Sequence, residues 1–206
     1  MSGGHPGGAP GSGTGTGPGV GAGDGSSLTL RPARPADVGD IARIWYAGWQ
    51  DGHLGHVPDV LTEARTEESF TTRAAQGVGD TVVAVVDGAV AGFTMVVGDE
   101  VEQLYVDARH RGTNAAAALL TEAERLVRAA GHRRAWLAVV AGNGRARRFY
   151  DRQGWLDEGP FEHRAPSATG PINVSAHRYV KDVQDVRDVR DVGDVRGATD
   201  VTGGGA

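Results

Sequence analysis

The run Val101-Glu102-Gln103-Leu104-Tyr105-Val106 leads through Asp107-Ala108-Arg109-His110-Arg111-Gly112-Thr113-Asn114 into the helix-forming stretch Ala115–Leu120. A β-prone segment ends, a short loop carries two arginines close to a glycine, and a helix follows at once. The first amides of a helix have no intrahelical partner, and the aligned peptide dipoles add about half a positive charge there. Backbone N–H groups from Arg111 to Ala115 can therefore cradle a phosphate or pyrophosphate, with Arg109 and Arg111 adding side-chain charge. No Gly-Lys-Ser/Thr follows, which excludes a P-loop. The single Gly112 cannot supply the three glycines of a dinucleotide fingerprint. On these residues alone, a capped helix with two solvated arginines is the alternative.

The surrounding elements must place this loop. Leu28-Thr29-Leu30 reads as a short strand. Pro35 and Asp37 open a helix whose apolar positions Val38, Ile41, Ile44 and Trp45 follow helical spacing. A His/Gly/Pro-rich loop over 52–58 precedes a second helix expected from Glu63 to Ala75. Thr81–Val86 and Ala89–Val97 are β-branched runs joined by Asp87-Gly88, a strong hairpin signal. Glu100–Val106 is the next strand. An Ala/Leu-rich helix starts near Gly112 or Thr113 and stops at Gly131. A strand over Ala135–Val140, a helix over Asn143–Gln153 closed by Gly154, and strands over Trp155–Glu162 and Ala176–Lys181 complete the series. The order β-α-α-β-β-β-α-β-α-β-β mixes hairpins with one β-α-β crossover. It predicts an α/β (α+β) fold, a mixed and mostly antiparallel sheet covered by helices.

Composition separates this core from its ends. Gly makes up 33 of 206 residues, well above the usual level of about 7%, and the excess gathers in residues 1–26. That segment has no aromatic, Leu or Ile and is expected to be a disordered leader. From Asp182 onward, Asp-Val recurs every three residues, a period matching neither helix nor strand, so residues 182–206 are expected to form a disordered tail. The domain is then 27–181. Seven Asp against three Arg in the two ends account for four of the five net negative charges, leaving the core near neutral. This disfavours a nucleic-acid partner. No run approaches the roughly 18 apolar residues of a membrane helix, and no secretory signal opens the chain. The absence of Cys excludes disulfides, thiolate metal sites and Cys nucleophiles. A cytoplasmic protein without a membrane partner is expected.

Two segments resemble a known family. The strand Leu104-Tyr105-Val106-Asp107 followed by Arg109-His110-Arg111-Gly112-Thr113-Asn114 looks like motif A of the GCN5-related N-acetyltransferases. Asn143-Gly144-Arg145-Ala146-Arg147-Arg148-Phe149-Tyr150, with Gly154-Trp155 after it, resembles that family's Asn-x-x-Ala-x-x-Phe-Tyr segment. The resemblance covers Leu28 to Lys181, and the element order agrees. It implies transfer of an acetyl group from acetyl-CoA to an amine, here that of a small molecule, with no metal. The loop from Arg109 through His110, Arg111, Gly112 and Thr113 to Asn114 and Ala115 would hold the CoA pyrophosphate. The backbone of Leu104, Tyr105 and Val106 would pair with the pantetheine arm, Asn143 would hydrogen-bond the cofactor, and Phe149 would pack beside it. Tyr150 would be the general acid that protonates the departing thiolate. A phenol of ordinary pKa ≈ 10 is protonated at neutral pH and can donate to a thiolate of pKa near 8.5 when the local field assists. Outside this motif, Tyr150 reads as a half-buried aromatic on an amphipathic helix.

The resemblance also frames the acceptor side. Glu100 and Glu102 lie on the strand that often carries the family's general base. They are two apart, hence on one face of a regular strand, and Glu102 is the preferred candidate because it is nearer the expected parting of the strands. An exposed strand carboxylate is the alternative. The loop from Trp49 to Pro58 falls where the family builds its acceptor wall, which makes Trp49, His53 and His56 candidate substrate contacts; loop histidines that only hydrogen-bond are the alternative. One position departs from the pattern. Asn114 stands where the family usually has Gly or Ala, and crowding of the pyrophosphate, with weakened CoA binding, is expected. A non-catalytic acyl-CoA-sensing domain and a peptide or protein N-terminal acetyltransferase remain alternative functions. A homodimer is also compatible with the sequence.

Overall fold

The computed structural model describes residues 27–184. The expected leader 1–26 and the part of the expected tail from 185 lie outside the described residues. Seven strands form one sheet in the order β1-β2-β3-β4-β5-β7-β6. They are β1 (Leu28–Pro32), β2 (Thr81–Val86), β3 (Ala89–Val97), β4 (Glu100–Val106), β5 (Arg134–Val140), β6 (Leu156–Ala165) and β7 (Ile172–Asp182). All neighbours run antiparallel except β4 and β5. The helices are α1 (Val38–His53), α2 (Asp59–Ala64), α3 (Glu67–Gln76), α4 (Ala115–Ala129) and α5 (Gly144–Arg152). This is the expected mixed fold with one helix more than expected. The single helix read over 63–75 is two, because Thr66 is extended (φ −81°, ψ 161°) and its hydroxyl caps α3 by accepting from the Ser69 amide at 3.2 Å. Among the described residues no helix is long and apolar enough to cross a membrane.

Side-chain chemistry accounts for the joints. Asp87 and Gly88 both take positive φ (51° and 81°), the geometry a two-residue hairpin between β2 and β3 requires. Val83, Phe93 and Met95 pack with Ile41, Trp45, Trp49 and Phe70 of α1 and α3 on one face of the sheet. On the other face, Leu120, Ala123 and Val127 of α4 and Tyr150 of α5 meet Val101, Leu137, Val139 and Tyr179. The sheet is thus covered on both sides, as its apolar strands demand. At the C-terminus β7 runs through Asp182, and Val183 is buried with its amide donating to the Arg133 carbonyl at 3.0 Å. Ordered structure therefore extends past Lys181, because a hydrophobic Val at the end of β7 still has core to cover.

Candidate active site

The site grows from the place where β4 and β5 part. Their parallel ladder has one register pair, Glu100 with Trp136, and the Trp136 amide also donates to the Asp99 carbonyl at 3.0 Å. Beyond this point β4 remains paired to β3 and β5 to β7, so the sheet is split between two otherwise complete halves. The strand edge from Glu102 to Val106 consequently offers backbone groups that β5 does not take.

A bulge re-aims the side chains on β4. Met95 pairs with Gln103 and Val96 with Val101, which leaves Glu102 as the extra residue. The bulge interrupts the regular alternation on which the shared face of Glu100 and Glu102 was expected. Both carboxylates nevertheless line one cavity of about 340 Å³. The same cavity is lined by Leu104 and Tyr105 from one lip of the split, by Leu137–Val140 from the other, and by Trp49, His53, Asn143 and Tyr150. Burial, with Glu102 and Asp99 adding negative charge, pushes the Glu100 carboxyl up to about 7. Glu102 Oε1 lies 3.7 Å from the Arg73 guanidinium.

Tyr150 is 8% exposed, and its ring meets Phe149, Trp155 and Tyr179 at centroid distances of 5.2, 6.0 and 5.8 Å. Burial, with a smaller contribution from Tyr105, raises its phenol above the ordinary range and keeps it protonated. The Asn143 side chain caps α5, its Oδ1 accepting from the Ala146 amide at 3.1 Å. A Cβ on Gly52 would stand 2.7 Å from Asn143 Nδ2, so the last turn of α1 lies directly against this cap. Phe149 is half-buried beside Tyr150.

The loop between β4 and α4 is internally braced. The Asp107 carboxylate receives the Arg109 amide at 3.0 Å, the Arg109 guanidinium at 3.0 and 2.9 Å, and Arg43 from α1 at 2.8 Å. These bonds, Arg109 first, hold its carboxyl well below the usual range despite burial. Gly112 takes φ +80°, and the Thr113 hydroxyl donates to the His110 carbonyl at 2.7 Å while accepting the Ala115 amide at 3.3 Å. The first i→i−4 bond of α4 runs from the Ala118 amide to Asn114, so the Ala116 and Ala117 amides at the helix end have no intrahelical partner, while that of Ala115 is taken by Thr113. Asn114 itself is right-handed (φ −75°, ψ −2°) and makes no side-chain cap bond. Its backbone is open to any residue, because Gly112 already makes the left-handed turn.

On the acceptor side Trp49 and His53 stack at 4.9 Å, and His53 Nδ1 bonds the Trp49 carbonyl at 3.0 Å. That bond makes Nδ1 the donor, and burial pushes the imidazole down to about 4. His53 is a neutral wall. His56 is exposed, abuts Gly142 and does not line the cavity. Among the lining residues that sequence reasoning missed are Arg65 and His163. Their positions, a helix junction and a distant strand, carry no local motif that would have marked them.

Comparisons with known proteins agree with this geometry. A search of curated proteins found no match. Among solved structures, a GCN5-related N-acetyltransferase from Rhodopseudomonas palustris is 21% identical, with 76% of this chain and 96% of that chain covered at a TM-score of 0.61. The yncA protein of Salmonella typhimurium, solved with its cofactor acetyl-CoA, is 16% identical over 86% of this chain and all of its own, TM-score 0.59. The paia N-acetyltransferase of Thermoplasma acidophilum, solved with coenzyme A, is 18% identical over 76% of this chain and 99% of its own, TM-score 0.56. Residues 42–155, which hold the split strands, the loop before α4 and Tyr150, match the sequence model of the Acetyltransferase (GNAT) family, and the chain belongs to that family of acetyl-CoA-dependent N-acetyltransferases.

Proposed function

We propose that the chain acetylates the amine of a small molecule, with Tyr150 as general acid and the Glu100/Glu102 pair as proton acceptor. The observation that carries this reading is the shared cavity. Both lips of the β4–β5 split, both carboxylates and Tyr150 line one space. The residues suit acetyl-CoA. The free edge of Leu104 to Val106 would receive the pantetheine amides, and the turn from Arg109 to Ala115, through the Gly112 and Asn114 amides that its internal bonds leave over, would receive the pyrophosphate. Asn143 and Phe149 would flank the arm.

When bound, acetyl-CoA supplies a thioester whose acyl carbon bonds to the amine nitrogen as its C–S bond breaks. Tyr150 donates its phenolic proton to the leaving sulfur. Its raised pKa makes that donation harder than from a free phenol, but a thiolate in the same water-poor cavity is destabilised too and takes the proton more readily. The Glu102 carboxyl, 3.7 Å from the Arg73 guanidinium, attracts the incoming ammonium. Glu100, whose carboxyl is pushed up to about 7, takes in its ionised form the proton that frees the amine for attack, and the second N–H proton, lost as the amide forms, restores Tyr150. Trp49 and His53 form the apolar wall. The fold of 52–58 onto the β5–α5 turn, with His56 against Gly142 and Gly52 against Asn143, narrows this side and favours a small acceptor over a peptide.

The test is calorimetric titration of acetyl-CoA into the full chain together with CoA release on mixing with a panel of primary amines. Binding that Arg111→Ala weakens and Tyr150→Phe preserves, with CoA release that Tyr150→Phe suppresses, is the expected result. Binding without release from any amine would leave an acyl-CoA sensor in place of the enzyme.

A further inference from the structure

Arg65 is buried at 7% exposure in the junction between α2 and α3. One of its terminal nitrogens donates to the Pro166 carbonyl at 2.8 Å, whereas its Nε is buried without a partner. Among the described residues no carboxylate comes within ion-pair distance of it. Arg73 lies over the Trp45 ring at 4.3 Å, and its contact with Glu102, at 3.7 Å, is longer than a hydrogen bond. Both guanidiniums line the cavity that holds Tyr150, Glu100 and Glu102. Burial, and then the charge of Arg73, lower the pKa of Arg65 to about 10, so it remains charged at neutral pH. A buried guanidinium and a half-buried one therefore share a single carboxylate within ion-pair distance, that of Glu102. A charge left uncompensated in a low-dielectric site is costly, and an arriving anion relieves that cost.

On the reading that this is an acetyltransferase of small amines, we propose that the acceptor also carries a carboxylate, bound by Arg65 and Arg73. The substrate class is then amino acids. Two guanidiniums with one carboxylate within ion-pair distance leave a place for a monoanion. A phosphate dianion would meet the nearby carboxyls of Glu100 and Glu102 with a charge the two arginines do not balance. The planar fork of a guanidinium also suits a carboxylate. An amino acid fills both requirements of the cavity, its ammonium toward the Glu100/Glu102 pair and its carboxylate toward the arginines, and the volume of about 340 Å³ admits one. Arg65 is missing from any motif because the need it serves is created only when the helix junction meets the strand split.

Two assays test this on the full chain. The first compares CoA release from acetyl-CoA with L-amino acids and with their carboxamides, which keep the amine and lose the charge. The acids are expected to exceed the amides in kcat/KM by roughly tenfold or more, the scale of a charged hydrogen bond, and Arg65→Gln is expected to bring that ratio close to one. Loss of a merely structural strut would lower both rates together and leave the ratio intact. The second needs no turnover: calorimetry of N-acetyl-L-alanine, N-acetyl-L-leucine and N-acetyl-L-phenylalanine against their carboxamides, with the wild-type chain alone if Arg65→Gln does not fold. Tighter binding of the acids supports the anion site. Equal handling of acids and amides in either assay overturns it. Selective binding of the N-acetyl acids without CoA release from any amine would keep the anion site and overturn the acetyl-transfer reading.

Discussion

Arg111 donates to Asp51 at 2.6 Å, tying the turn before α4 to the last turn of α1 across sixty residues. The pair joins the proposed phosphate loop to the helix that carries Trp49 and His53. A pyrophosphate arriving at the loop competes with Asp51 for the same guanidinium. An exposed pair of this kind is worth about 0.2–1 kcal/mol. Asp51→Asn is expected to tighten acetyl-CoA binding by up to about fivefold, most clearly at low salt. Arg111→Ala is expected to weaken it by about tenfold or more, because a charged hydrogen bond to phosphate is lost. Calorimetry at two ionic strengths measures both. An affinity indifferent to both substitutions would place the pyrophosphate elsewhere.

Tyr150 meets its surroundings through rings and is buried, so removing its hydroxyl leaves packing nearly intact. Tyr150→Phe is expected to lower kcat by 10²–10⁴-fold, the usual range for a positioned proton donor, with acetyl-CoA affinity unchanged. Because burial moves its titration up from the ordinary value of 10, no alkaline loss of activity from this group is expected below pH 10. Loss of acetyl-CoA binding together with kcat would make Tyr150 a packing residue instead.

Much of this arrangement was legible before folding. Asp87-Gly88, the Ala-rich α4 and the Asn143–Tyr150 segment each carry their own local signal of turn chemistry, periodicity or capping, and each formed where expected. The helix split at Thr66 was less legible, since in sequence a single capping threonine is all that marks the extended backbone within a helix-prone run. The bulge at Glu102 was not legible, because it arises from the register of β3 against β4. Arg65 and His163 come to the cavity from segments far apart in the chain, and only tertiary structure joins them.

Asn114 allows conformation and crowding to be told apart. Its φ of −75° is open to any residue, so the family's Gly or Ala at this place is not demanded by the backbone. If the Asn side chain crowds the pyrophosphate, Asn114→Ala and Asn114→Gly will both tighten acetyl-CoA binding severalfold, with Ala at least as effective as Gly. Gly superior to Ala would mean that the loop turns left-handed on binding. An affinity unchanged in both variants would remove the crowding idea.

Glu100 links activity to stability through one titration. As proton acceptor it works only when ionised, so kcat/KM is expected to rise through pH about 7, and Glu100→Gln is expected to abolish that limb while sharing every other feature of the profile. His53 cannot supply this limb, since its folded-state pKa lies near 4. The stability effect has a defined sign. The folded carboxyl holds its proton to about pH 7, whereas the unfolded one releases it near 4.5. Between those values the folded state binds more protons, so stability falls as pH rises and stays lowered above 7. Glu100→Gln, which carries no charge in either state, should therefore raise Tm relative to wild type at pH 8 and lose that advantage at pH 4.5. His53 acts in the opposite sense over a similar range: the unfolded imidazole takes up a proton below about 6.5 and the folded one only near 4, so its contribution falls on acidification. Melting curves of Glu100→Gln and His53→Gln against wild type from pH 4 to 8 separate the two. A Tm difference for Glu100→Gln that is constant across this range would mean that Glu100 titrates as an ordinary surface carboxylate, and the base would then have to be Glu102 alone.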